Sequence, residues 1–137
     1  MQFKKERASA IVIKDNKVLL IHRILPDQEY WTFPGGGIES GELEDAAVTR
    51  EVLEETGLSV LSCHKVFEDI DAKIDRLNHF YVCETNDLQL VLGGPEALRQ
   101  SDNNKHIPEW VSIDNIPQLK LVPSSAKEKF LEYINKK

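Results

Sequence analysis

Residues 36–58 read GGIESGELEDAAVTREVLEETGL, and the spacing within this stretch decides the fold and the chemistry. Residues 43–56 carry a helical pattern. Glu44 and Asp45 fall in its first turn, where acids complement the helix dipole, and Gly57 supplies a C-terminal stop. Ser40, Gly41 and Glu42 all stay open as the N-terminal cap. Glu51, Glu54 and Glu55 stand at i, i+3 and i+4, so they share one face about one turn long. The like-charged pair Glu51 and Glu55 opposes helix formation unless a cation offsets it. Oxygen donors alone suit a hard divalent ion, Mg²⁺ or Mn²⁺. At about 100° per residue the three glutamates cover an arc of roughly 100°. Ala47 lies within that arc, Leu43, Ala46 and Leu53 on one flank, and Val48 and Val52 on the other. Apolar neighbours on both sides predict a carboxylate face set into a cleft. Arg50 points to another face and is placed to hold a glutamate or a loop carbonyl by fork-like hydrogen bonds. Gly35, Gly36 and Gly37 let backbone groups approach an ion or a phosphate.

The acidity of the chain is local. Net charge is −6 over 137 residues, and the segment 39–55 alone carries seven acids and one base. The remainder holds 16 of each and is neutral. This argues for a cation site and against a nucleic-acid surface. One domain spanning 1–137 is the expectation for such a length and for 41% apolar content. Cys63 and Cys83 lack metal-ligand spacing and read as small buried thiols. No segment has signal-peptide or membrane-spanning character, so a cytoplasmic location is expected.

Residues 8–14 and 17–24 are β-rich and flank Asp15-Asn16, which predicts a hairpin with a two-residue turn. A polar loop is expected over 25–30 and a short strand over 31–33, stopped by Pro34 and the glycines. Strands are expected over 58–69, 76–84 and 107–113, with a further one over 88–92. A loop is expected over 93–105 and a helix over 123–136, with Ala126, Phe130, Leu131 and Ile134 on its inner face. Strands on both sides of a helix in one compact chain predict an α/β fold, a mixed sheet flanked by helices.

The same stretch resembles the Nudix box, G-x5-E-x7-R-E-U-x-E-E-x-G-U with U a bulky aliphatic residue. Gly36, Glu42, Arg50, Glu51, Val52, Glu54, Glu55, Gly57 and Leu58 fill all nine specified positions. Leu19-Leu20, Trp31 ahead of Phe33-Pro34-Gly35-Gly36, and Pro108-Glu109-Trp110-Val111 are also similar to the family. Leu43 departs from it, standing where many relatives carry a Ser or Thr cap. The resemblance implies a MutT-like pyrophosphohydrolase with the Nudix α/β/α sandwich, cleaving a nucleoside diphosphate linked to another moiety. It implies Glu51, Glu54 and Glu55 as Mg²⁺ ligands with the Gly35 carbonyl, and Arg50, Glu42 and Gly36 as their support. Glu51 is the candidate general base, with Glu96 as its rival. Arg23 and Arg99 are candidate phosphate contacts, each weighed against an ordinary surface arginine. Trp31 is a candidate base-stacking residue, weighed against simple packing. His22, His64, His79 and His106 have no catalytic spacing and read as structural.

Residues 73–76 lack the proline and the tyrosine that mark ADP-ribose and dinucleoside-polyphosphate subfamilies. The patterns of NADH and coenzyme A pyrophosphatases are absent too. Small nucleoside di- or triphosphates therefore lead as substrates, with ADP-ribose and ADP-sugars as the second class. A catalytically silent nucleotide sensor and an isomerase of the same fold are weaker alternatives, since every box glutamate is present. The expected partner is a small nucleotide, not nucleic acid or a membrane; a homodimer is compatible with the resemblance.

Overall fold

The computed structural model describes residues 5–86, 90 and 104–136. Strand β1 (Lys5–Ile11) is followed by the two-residue β2 (Ile13–Lys14), and the interruption at Val12 passes the chain from one sheet to a second. Asp15 and Asn16 have φ of 52° and 61°, the left-handed pair that a two-residue hairpin turn needs. The chain returns as β3 (Lys17–Leu25), and Leu19 N–H still donates to the Val12 carbonyl at 2.9 Å. The expected hairpin is thus present, but it straddles two sheets.

One sheet has the order β5 (Gly35–Gly37), β1, β7 (Arg76–Thr85), β6 (Val60–Asp71). β1 and β7 are parallel and the other pairs antiparallel, so the sheet is mixed. In the second sheet β3 pairs with β2, with β4 (Gln28–Thr32) and with β8 (Lys105–Ser112), all antiparallel. Helix α1 (Glu44–Thr56) covers one face of the mixed sheet and α2 (Ser124–Asn135) the other.

The two-residue period of the strands divides the core between these helices. Ala8, Ala10, Leu19 and Cys83 pack with Ala47, Val48 and Val52 of α1. Ile11, Val18, Leu20 and Phe80 pack with Phe33, Ala126 and Phe130 on the α2 side. Phe33 meets Phe80 and Phe130 edge-on at ring separations of 5.3 and 5.4 Å. Burying each such ring stabilises the fold by about 1.5–3 kcal/mol.

Several local expectations are corrected. The loop expected over 25–30 is a tight turn at Pro26-Asp27, and β4 begins at Gln28; Phe33 lies beyond it, buried in the core. The glycines do not merely stop a strand: they form β5, because pairing with β1 needs backbone and no side chain. β8 ends at Ser112, and Ile113–Gln118 forms a 3-10 turn that buries Ile116, a short element without its own periodicity. The strand expected over 88–92 and most of the loop over 93–105 lie outside the described residues. No helix among the described residues is long and apolar enough to cross a membrane.

Candidate active site

β5 lies beside β1 with Ser9 opposite Gly35, Ala8 opposite Gly36 and Arg7 opposite Gly37. Helix α1 packs against this short strand, and two glycines make the approach feasible for different reasons. A Cβ at Gly35 would stand 2.4 Å from the Ala8 carbonyl oxygen, so the strand pairing itself excludes a side chain. A Cβ at Gly36 would stand 2.5 Å from Glu51 Oε1, so here the space belongs to a carboxylate. The Gly35 N–H donates to Glu55 Oε1 at 2.7 Å, tying the third glutamate to the same strand.

Arg50 is the hub. Its Nε and Nη2 donate to the two oxygens of Glu42 at 2.9 and 3.0 Å, the bidentate geometry that suits a guanidinium. Nη2 also donates to the Gly37 carbonyl at 3.0 Å, and Nη1 to Glu51 Oε1 at 2.7 Å. Glu54 Oε1 stands 3.5 Å from Nη1, and Glu39 lies 3.4 Å from Nε. Glu42 in turn accepts from the Glu39 N–H at 3.0 Å, across a turn in which Gly41 takes φ 79°. Arg50 therefore clamps the loop and the helix together, as expected from its type and place, and it reaches Glu51 and Glu54 as well. The hydrogen bonds from Arg50 and from the Glu39 backbone hold the Glu42 carboxyl down to about 2. Glu42, followed by Glu51, holds the Arg50 guanidinium above its ordinary value, against the effect of burial. Burial pushes the Glu51 carboxyl up, with Arg50 opposing.

Two expectations about α1 change. The residue at the N-cap is Leu43, whose extended backbone starts the helix with no side-chain cap; the Glu39–Glu42 turn does the anchoring instead. Only the Val48–Val52 flank is buried. Leu43 and Leu53, on the other flank, are 72% and 51% exposed. A cleft of about 730 Å³ opens there, lined by Leu43, Leu53, Leu61, Arg50 and Cys63, and it is bordered by none of the three glutamates.

The remaining candidates divide. Arg23 stands on β3 and donates to Asn104 Oδ1 at 2.7 Å, the Lys105 carbonyl at 3.3 Å and Tyr30 Oη at 3.4 Å. Trp31 on β4 stacks on His22 at 4.2 Å and donates Nε1 to Glu109 at 3.1 Å. Both therefore belong to a polar array on the second sheet rather than to the glutamate helix. Glu96 and Arg99 lie outside the described residues. Cys63 and Cys83 are free thiols facing each other across β6 and β7. Sequence reading passed over Arg7. Burial, followed by the neighbouring Arg76, lowers its pKa, while the charges of Glu55 and Glu51 work the other way. Its only local signal was its place, two residues after Lys5 at the head of a strand.

The oxygen-only donor set of Glu51, Glu54, Glu55 and the Gly35 carbonyl fits a hard cation in its chemistry. The side chains are not gathered around one point. Among the described residues no three His, Cys, Asp or Glu side chains are close enough together to hold one ion. Instead Glu51 and Glu54 turn to Arg50, and Glu55 turns to the Gly35 N–H. In this arrangement a guanidinium offsets the carboxylate repulsion that a metal would otherwise relieve.

The box residues thus form one connected unit, and residues 4–133 match the family model for the NUDIX domain. The chain belongs to the Nudix family. It is 36% identical over 110 residues to a protein of Methanocaldococcus jannaschii named ADP-ribose pyrophosphatase, covering 80% of this chain and 62% of that one. The chain thus spans less than two thirds of that relative. It is 35% identical over 91 residues to the 8-oxo-dGTP diphosphatase of Proteus vulgaris, covering 61% of this chain and 81% of that one. The NUDIX domain of Shewanella oneidensis NrtR, solved in complex with ADP ribose, superposes with a TM-score of 0.71. It covers 99% of this chain and 89% of that one at 18% identity, which speaks for the shared fold. The two named relatives are a pyrophosphatase and a diphosphatase.

Proposed function

We propose that the chain is a cytoplasmic, Mg²⁺-dependent pyrophosphohydrolase acting on small nucleoside tri- or diphosphates. The observation that carries this is the cluster of three glutamates on one helix face: Arg50 holds Glu51 and Glu54, the Gly35 N–H holds Glu55, and the missing side chain of Gly36 makes room for the Glu51 carboxylate. Glu51, Glu54, Glu55 and the Gly35 carbonyl would hold the ion once the carboxylates turn from Arg50 and from the Gly35 N–H. When bound, Mg²⁺ supplies positive charge at the phosphates and makes a nearby water more acidic. Arg50 keeps Glu42 and the Gly37 carbonyl fixed while Glu51 and Glu54 change partner, so the loop holds its shape. In the reaction a water oxygen bonds to phosphorus and the bridging P–O bond breaks. The leaving phosphate keeps the electron pair, and a carboxylate takes the water's proton. Glu51 is the candidate for that carboxylate, because it lies against the glycine strand.

ADP-ribose and ADP-sugars form a second substrate class, favoured by the name of the Methanocaldococcus relative. The deciding experiment is a phosphate and pyrophosphate release screen with Mg²⁺. Its panel holds normal and oxidised nucleoside triphosphates, diphosphates, ADP-ribose and ADP-sugars, with Glu54→Gln as control. Loss of one carboxylate ligand to the ion that stabilises charge at the reacting phosphate is expected to cost about 10²–10³ in turnover, with the melting profile retained. Turnover in Glu54→Gln equal to the parent would overturn the site assignment. A folded, Mg²⁺-binding chain silent on the whole panel would favour a nucleotide sensor.

A further inference from the structure

A second charged group adjoins the glutamate site and has no role in the scheme above. In the parallel pairing of β1 with β7, Lys5 lies opposite Arg76 and Arg7 opposite Asn78. Paired residues share a face, as do residues two apart on a strand, so Lys5, Arg7 and Arg76 stand on one side of the sheet. Together with Gly37 and Ile38 they line a cleft of about 400 Å³. The Nε atoms of Arg7 and Arg76 are both buried, and neither has a hydrogen-bond partner among the described residues. The two guanidiniums are near enough to act on each other, and Arg7 also senses Glu55 and Glu51.

Glu55 and Glu51 act on Arg7 by charge, while two further acids of this rim accept from other donors. Glu6, on the same rim, accepts from His79 Nε2 at 2.8 Å. Asp71, opposite Arg76 on β6, accepts from the Lys73 N–H at 3.2 Å. Two buried Nε donors without an acceptor, on neighbouring like charges, favour an anion within hydrogen-bond reach. Proteins place guanidiniums in this way where planar oxyanions are recognised.

We propose that Arg7 and Arg76 form an anion subsite that takes a phosphate beyond the diphosphate being cleaved. Resting on the hydrolase reading above, it makes the substrate a triphosphate or longer phosphate chain rather than a diphosphate ending in a neutral sugar. Gly37 links the two sites, since its register partner is Arg7 and its carbonyl is held by Arg50. β5 is the edge strand of its sheet, so a chain of phosphates passing round that edge would run from the glutamates on the α1 side to the arginines on the other.

The test compares the parent with Arg7→Met, Arg76→Met and Arg7→Lys, by two readouts. The first is thermal protection by inorganic tripolyphosphate without metal, which needs no turnover. Protection is expected in the parent, at least tenfold weaker in both Met variants, and partly kept in Arg7→Lys. The second is KM with Mg²⁺, expected to rise at least tenfold for a nucleoside triphosphate and to change less than twofold for ADP-ribose. Absence of tripolyphosphate protection in the parent, or equal protection in the Met variants, would overturn the proposal. Equal losses on the triphosphate and on ADP-ribose would overturn it too. Arginine-dependent protection in a chain with no turnover on any substrate would uphold the subsite and remove the hydrolase reading. Should Arg7→Met fail to fold, Arg76→Met and Arg7→Lys still decide.

Discussion

Replacing Gly35 and Gly36 by alanine one at a time separates the fold from the site. The new Cβ meets its nearest atom at almost the same distance in both, 2.4 Å at Gly35 and 2.5 Å at Gly36. Ordinary contact begins near 3.4 Å, so each neighbour must retreat by about 1 Å. The neighbours differ. At Gly35 it is the Ala8 carbonyl, with Ser9 Cα 2.7 Å away, and moving it parts β5 from β1. Forced displacement of packed backbone costs about 2–3 kcal/mol. A 137-residue chain has an unfolding entropy of about 0.29 kcal/mol/K. Gly35→Ala should therefore lower Tm by about 7–10 °C. At Gly36 the neighbour is the tip of Glu51, which can turn away at small cost to the fold. Gly36→Ala should keep Tm within about 2 °C. A carboxylate 1 Å out of place should still lower kcat/KM by about 10²-fold. Gly37→Ala meets nothing within 4 Å and serves as the control for stability. Differential scanning fluorimetry and pyrophosphate release measure both quantities. Equal Tm losses in Gly35→Ala and Gly36→Ala, or full activity in Gly36→Ala, would refute the division of labour between the two glycines.

Three further outcomes are expected. Mg²⁺ at ten times its dissociation constant should raise Tm by about 5 °C through linkage, and EDTA should reverse it; no rise at any concentration would count against an ion site at these carboxylates. Burial, followed by its neighbour Cys63, pushes the Cys83 thiol up to about 12, and burial likewise raises Cys63. Native protein at pH 8 should therefore react slowly with a thiol reagent and denatured protein rapidly at both cysteines, whereas fast native labelling would contradict that packing. Lys65 donates to Glu68 at 2.6 Å and lies 3.2 Å from Glu44, and Tyr81 donates to Glu44 at 2.8 Å. Burial would lower Lys65, but Glu68 and Glu44 raise it. Burial would raise Glu44, but Tyr81 and Lys65 outweigh that; Lys65 lowers Glu68. The depressed carboxyls contribute stability above their unfolded pKa of about 4.3 and lose it as pH falls through their folded values. The raised lysine contributes below about 10.4 and loses its share as pH rises through its folded value. Lys65→Met should therefore lower Tm at pH 7 and much less at pH 3; equal losses at both would show that only packing was removed.

Much of the site was legible because it is local. The 3- and 4-residue spacing of Glu51, Glu54 and Glu55, the expectation that Arg50 would hold a glutamate or a loop carbonyl, and the turn at Asp15-Asn16 all depend on contacts within a short stretch, where helix and turn geometry leave few choices. The N-cap was misread for a related reason: side-chain chemistry favoured Ser40, Gly41 or Glu42, yet the Glu39–Glu42 turn and Arg50 anchor the loop without one. Periodicity could name two apolar flanks of α1 but not which one the sheet covers, and only the Val48–Val52 flank is buried.

The sequence by itself determined the family, the mixed α/β class and the three glutamates that share a helix face, because these follow from fixed spacing along the chain. Tertiary structure alone decided that the Gly35–Gly37 run would be a strand, that Gly36 would make room for Glu51, and that Arg7 would meet Arg76. Those depend on β1 joining β5 on one side and β7 in parallel on the other. Parallel pairing between distant segments is selected by burial of both sheet faces, a property of the whole core that no local window contains.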